Sequence, residues 1–318
     1  MIDKKKKIQI LFILAAAFIT LFILWGLNAN NYQYNLYVRI PKVIAIVISG
    51  AAIAVASILF QSVTQNRIVT PSILGLDSLY NLVQTTVVFV FGSASVFMTN
   101  KPINFVVSSI LMIGLSMILF KVVLKKGKNN IFLLLLVGTV IGTFFRSFAS
   151  FMQVSIDPNE YDALQNKLYA SFNLVNTDIL IVVLVVLLLI FIALYDDIKK
   201  LDLASLGRDL AINLGLNYDK FTKKILLIVA VLISVSTALV GPITFLGILI
   251  VNLTYEMIKS HKHSELLVVG ILISIIALVG GQFLVERLFN FNTKISIIIN
   301  FIGGIYFIGL LLKEGKSW

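Results

Sequence analysis

Apolar runs close to twenty residues long alternate with short polar stretches along the whole chain. A run of that length matches the hydrocarbon core of a bilayer, which an α-helix crosses in about 20 residues. The runs cover 8–27, about 41–60, 73–91, 103–124 and 131–154, then 179–195, 225–240, 243–257, 266–285 and 295–312. Asp77, Asn81 and Gln84 interrupt the third. Pro41 is predicted in the first turn of the second, where its missing N–H is not needed. A lipid-exposed backbone must bond to itself, so every span is helical. The pattern predicts an all-α polytopic membrane protein with ten transmembrane helices. Residues 1–318 form a single domain with no large soluble appendage.

One polar stretch, 202–216, stands out between the sixth and seventh runs, in a segment of about 201–216. As a helix it puts Leu203, Leu206, Leu210 and Leu214 on one narrow face, with Ile212 out of place. Gly207 predicts a bend between two short helices or a close backbone approach. Two readings fit: an amphipathic helix lying on the membrane, or a docking knob for a soluble partner.

Composition agrees with the pattern: 318 residues, 59% apolar and 13% charged. The net charge of +11 does not imply nucleic acid, because the basic residues sit between apolar runs. Cysteine is absent, which excludes disulfides, thiol chemistry and cysteine-based metal sites. Lys4 to Lys7 precede the first run, but its length and the lack of a small-residue cleavage pattern make it a retained helix.

Ten crossings put both termini on one side. Loops on that side hold 19 Lys and Arg, the opposite loops hold 6, and Arg146 lies inside the fifth run. The excess places both termini, and 202–216, in the cytoplasm.

No catalytic constellation is present. His261 and His263 are predicted in a solvated turn. Asn252-Leu253-Thr254 matches a glycosylation pattern but lies inside a span. The stretch 309–317 resembles a P-loop, yet five residues separate its glycines instead of four. The chain therefore carries no recognisable nucleotide site, no metal site and no cofactor of its own.

Arg146 is the informative intramembrane charge, since a charge at mid-bilayer costs about 2.5–3.5 kcal/mol on insertion scales. Thr139, Thr143, Arg146, Ser147 and Ser150 share a helical face, with Gly138 and Gly142 close by. That face is either a wet translocation path attracting an anionic substrate or a small-residue packing surface with Arg146 snorkelling outward. Asp77 and Glu256 are predicted near solvated helix ends, leaving no mid-membrane carboxylate for proton coupling. An ion-coupled secondary transporter acting alone and a structural membrane scaffold remain the rival classes.

Several motifs, in order, resemble one family. Arg39-Ile40-Pro41-Lys42 is similar to its R-L-P-R, and Gly50-Ala51-Ala52-Ile53-Ala54 with Gln61 to its G-A-x-L-A and following Gln. Asn66, Pro71 and Leu74-Gly75 follow its N-P-L-A-x-P-x-x-L-G. Leu206-Gly207, Ala211 and Leu214-Gly215 match L-G-x-x-x-A-x-x-L-G. Gly241-Pro242-Ile243, Phe245 and Gly247 match G-P-I-x-F-x-G, and Gly303 with Phe307 match the last helix. The family is the FecCD-type membrane subunit of iron-siderophore and vitamin B12 ABC importers. Val251-Asn252 replaces its P-H, Arg67 its proline, and Asn292-Thr293-Lys294-Ile295-Ser296 its E-L-P-x-G.

The resemblance implies a permease that is not itself an enzyme. It pairs with a second permease subunit, identical or a sister chain, and encloses the path between them. ATP and Mg belong to two separate cytoplasmic ATPase subunits, which receive the 201–216 segment through Leu203, Leu206, Gly207, Leu210, Ala211, Leu214 and Gly215. An extracytoplasmic siderophore-binding protein delivers cargo and docks on Arg39 and Lys42, with Arg287 as a further cation. Asp157-Pro158-Asn159-Glu160-Tyr161 and Ala170-Ser171-Phe172-Asn173 resemble a branch handling catecholate or mixed catecholate siderophores.

Overall fold

The computed structural model describes residues 4–28, 31–66, 68–126, 131–173 and 175–314. Arg67, Lys128 and Lys316 of the charge count, and residues 315–317 of the P-loop-like stretch, lie outside them. The described chain is helical: α1 Lys4–Leu24, α2 Tyr32–Thr64, α3 Leu76–Phe91, α4 Val96–Thr99, α5 Lys101–Lys126, α6 Ile131–Val154 and α7 Pro158–Leu168. Then come α8 Thr177–Tyr195, α9 Ile198–Ala204, α10 Arg208–Asn213, α11 Tyr218–Val240, α12 Leu246–Ile258, α13 His263–Arg287 and α14 Ile295–Glu314. Seven of these are long and apolar enough to cross a membrane, and three shorter apolar helices, α3, α12 and α14, complete the predicted ten.

The central post is α2. Its apolar stretch is 89% buried, against 17% for α1 and 28% for α8, which stand at the periphery of the chain. Small residues explain the difference. A Cβ on Gly50 would sit 2.9 Å from the Ser274 hydroxyl, so α13 approaches α2 closely there. At 33 residues α2 is about 50 Å long. It begins well before the predicted span and places Pro41 in its interior, which corrects the first-turn expectation. Pro41 has no N–H to donate to the Tyr37 carbonyl, one turn back in a stretch of α2 whose Tyr34 and Tyr37 are exposed.

The short helices have a common cause. After α2 the chain forms a 3-10 turn, Pro71–Leu74, and α3 starts at Leu76 against the middle of α6. Gly75 has φ +79°, and a Cβ there would lie 2.6 Å from the Gly142 Cα. No side chain fits at either position. The start of α12 meets the start of α3, with the Thr244 hydroxyl donating to Asp77 Oδ2 at 2.8 Å. Asp77 is therefore half-buried in the first turn of α3, bonded also by Ser72 and within the field of Arg146; it lies at a helix end as expected, but one held against α12.

The polar segment between α6 and α8 contains a helix that periodicity did not reveal. Asp157 caps α7 by accepting from the Asn159 N–H at 2.9 Å, and Pro158 takes the first helical position.

Candidate functional site

At one end of the bundle α9 and α10 form an elbow. The straight four-leucine stripe is corrected to two short helices broken at Gly207, as the bend alternative requires. Gly207 has φ +107°, a region strained for any L side chain, and the Gln65 side chain lies against it. Gly215, φ +87°, ends α10, with the Leu216 N–H donating to the Ala211 carbonyl at 2.9 Å.

The elbow divides its apolar residues. Leu201, Ala204 and Ala211 are fully buried in the core, and Leu203 is half-buried. Leu206, Leu210 and Leu214 are 53%, 57% and 58% exposed. Ile212, out of place on a straight helix, joins them at the surface. The elbow is thus an anchored knob with leucines turned outward.

Polar bonds hold its base. Asp202 Oδ1 accepts from the His263 backbone N–H at 2.8 Å and lies 2.6 Å from His263 Nδ1. His263 Nε2 lies 2.6 Å from the Ser62 hydroxyl on α2. One buried ring thereby ties the elbow to α13 and to α2. The solvated turn expected for His263 is corrected; only His261 is exposed. No periodicity could have revealed this joint, because Asp202 is 61 residues from His263. Arg208 pairs with Asp219 at 3.2 Å, and Asp197 is clasped by Lys200 at 2.7 Å and by Lys224. Burial pushes the Asp197 carboxyl up, but the two lysines outweigh it and hold the group below the usual carboxylate range.

On α6 the expected path residues do form one surface. Thr139, Thr143, Arg146, Ser147 and Ser150 are all exposed on this chain. They run between a buried face, where Gly138 and Gly142 receive Leu74 and Gly75, and an apolar exposed face bearing Val140, Phe144 and Phe148. The Thr139 and Thr143 hydroxyls donate to carbonyls of their own helix. Nothing among the described residues covers the stripe.

The opposite end, where α2 begins and α13 ends, departs from expectation. Arg39 and Lys42 are buried, 7% and 5% exposed, so neither presents a charge to a docking partner. Arg39 donates to the Ile23 and Trp25 carbonyls at 2.7 and 2.8 Å, satisfying the open end of α1. Lys42 pairs with Glu286 at 2.5 Å, and Gln282 bridges Glu286 to Asn173. Arg287 remains exposed and donates to the same Trp25 carbonyl at 3.1 Å. Ala170 and Phe172, of the siderophore-branch signature, are buried in the core.

This architecture was compared with known proteins. The FecCD transport family matches residues 5–313. The chain belongs to the FecCD transport family. It is 54% identical, over 98% of both chains, to the petrobactin import system permease protein YclO of Bacillus subtilis. It is 33% identical to the petrobactin import system permease protein FatC of Bacillus anthracis, over 87% of this chain and 78% of that one. A solved structure described as an inward-facing metal-chelate type ABC transporter superposes with a TM-score of 0.84, at 22% identity, covering 98% of this chain and 100% of that one. As a FecCD protein the chain is a multi-pass membrane transport subunit.

Proposed function

We propose that this FecCD chain is the permease subunit of an ATP-driven importer of iron(III)-siderophore complexes in a bacterial plasma membrane. The cargo is of the kind named for its petrobactin-import relatives. The observation that carries the proposal is the elbow: three exposed leucines on a rigid, core-anchored support. Exposed leucines at such a point favour burial in a partner's groove, and about 2 kcal/mol per central anchor is typical of such contacts. A separate ATPase, one per permease, is that partner. Leu203, Ala211 and Gly215 shape the knob, and Gly207 sets its bend.

The α6 stripe faces a second permease subunit, identical or a sister chain. Arg146 exposed within the apolar belt would be costly against lipid. Against a partner across a wet path, it attracts anionic cargo. Thr139, Thr143, Ser147 and Ser150 extend that path. Of the three cations expected to dock an extracytoplasmic siderophore-binding protein, Arg287 is the one left exposed to guide it.

The test is capture of the ATPase by the full chain, and its loss on Leu206→Asp or Gly207→Val with the chain still folded. Undiminished capture would remove the elbow from the coupling role. Asp77 held against α12 favours the ion-coupled rival more than the sequence did. Uptake by the purified chain alone on a proton or sodium gradient would establish that rival.

A further inference from the structure

A cavity of about 10 Å³ lies where two interrupted stretches of the chain meet. One is the 3-10 turn before α3, which with its cap residue supplies Thr70 and Ser72. The other is the break between α11 and α12, which supplies Thr244. Ser57 of α2, Thr237 of α11 and Asp77 from the first turn of α3 also line it. Among the described residues no lysine, arginine or histidine does. The room is that of one water-sized sphere.

Ser57 is the observation that points to a ligand. Its hydroxyl is buried, 1% exposed, and has no hydrogen-bond partner among the described residues. Ser62 and Thr64, on the same helix, donate back to the carbonyl four residues earlier. Ser57 lies instead against Gly247, where a Cβ would overlap the Ser57 Oγ. A buried hydroxyl left alone is costly, and a bound water or ion relieves it.

The charge around the cavity selects a cation. Thr244 donates to Asp77 Oδ2 at 2.8 Å, and Ser72 also bonds this carboxylate. Both hydroxyls thus give their protons to Asp77 and keep lone pairs to offer. Helix ends do not reverse the sign. α11 ends and α12 begins at the cavity, so their end charges offset, and Asp77 exceeds the roughly half charge at the start of α3. Arg146 acts on Asp77 from α6 but does not line the cavity. Every polar side chain on the wall offers oxygen, the donor of hard cations. Mg²⁺ keeps several waters, for which there is no room, and Ca²⁺ affinity rises with ligand charge, of which one carboxylate gives little. A small monovalent ion fits both limits. Interrupted membrane helices hold sodium beside their breaks in this way in other transporters.

We infer that this cavity binds one sodium ion, held by the Asp77 carboxylate and the hydroxyl oxygens of Ser57, Ser72 and Thr244. The ion ties α2, the central post, to the starts of α3 and α12. The site is separate from the elbow, so its test does not depend on the coupling role.

The purified full-length chain, without ATPase or nucleotide, is titrated with radioactive sodium at constant ionic strength. Saturable binding is expected, displaced by unlabelled sodium and not by potassium. Asp77→Asn should weaken it at least about 100-fold, since it removes the charge on the wall. Ser57→Ala should weaken it about tenfold, as one lost contact to a charged group. Its melting temperature in sodium-free buffer should match or exceed that of the parent, which keeps the test open if Asp77→Asn fails to fold. No saturable sodium binding would overturn the site in favour of a bound water. Binding unchanged in Ser57→Ala would overturn the location, and equal displacement by potassium would overturn the identity of the ion.

Discussion

The two ends of the molecule invert the usual placement of residue types. At the elbow Leu206, Leu210 and Leu214 stand in the open. At the opposite end the charges of Arg39, Lys42 and Glu286 are withdrawn from solvent. The difference follows from what each group can find within its own chain. The open end of α1 offers carbonyls, and Glu286 offers a carboxylate, so Arg39 and Lys42 are satisfied internally. The elbow leucines find no cover within the described chain, because Leu201, Ala204 and Ala211 already fill the space beneath them. Chemical availability for a partner is set by unmet need, not by residue type.

The strongest way to break this comparison is at Lys42. Lys42→Ala leaves Glu286 buried without its ion partner, which typically costs about 3–5 kcal/mol. A large fall in thermal stability in detergent is expected. A parent-like melting temperature would return Lys42 to the surface role first expected of it.

Next in size is the elbow. Leu210→Asp should weaken ATPase binding at least about 30-fold, the equivalent of a hot-spot residue, with the melting temperature near that of the parent. Loss of stability instead of binding would make the leucines part of the core.

His263 tests the support beneath the knob. His263→Ala should cost about 1–3 kcal/mol by orphaning buried polar groups. It should lower uptake per ATP hydrolysed more than ATPase capture. A parallel fall in both would reduce the joint to a simple fold contact.

The Asp197 clasp gives a pH dependence. Its folded pKa lies below the usual 3.8, so its stabilisation is present above that value and fades as pH falls through the lower folded one. The clasp should hold at neutral pH and loosen only under stronger acid than pH 3.8, a dependence that Asp197→Asn should abolish.

The smallest effect is expected at exposed Arg287. Arg287→Glu should slow binding-protein association at low salt, with a change of about 1 kcal/mol or less in affinity. No salt-dependent change would leave its bond to the Trp25 carbonyl as its whole role.

The amino-acid sequence by itself determined the apolar membrane helices and the position of the elbow, but not the polar helix α7. Apolar run length is a local property, and bilayer thickness reads it directly. Gly207 foretold the bend because a positive φ disfavours other residues locally. The α6 stripe, Thr139 to Ser150, was legible because one helical period joins its members. Only the tertiary structure decided which charges are free. Arg39 meets carbonyls 14 and 16 residues away, Lys42 a carboxylate 244 residues away, and Asp202 a histidine 61 residues away. Asp77 likewise became half-buried only when α3 began beside Thr244. Such contacts depend on how helices are stacked, and no periodicity within a single helix records that stacking.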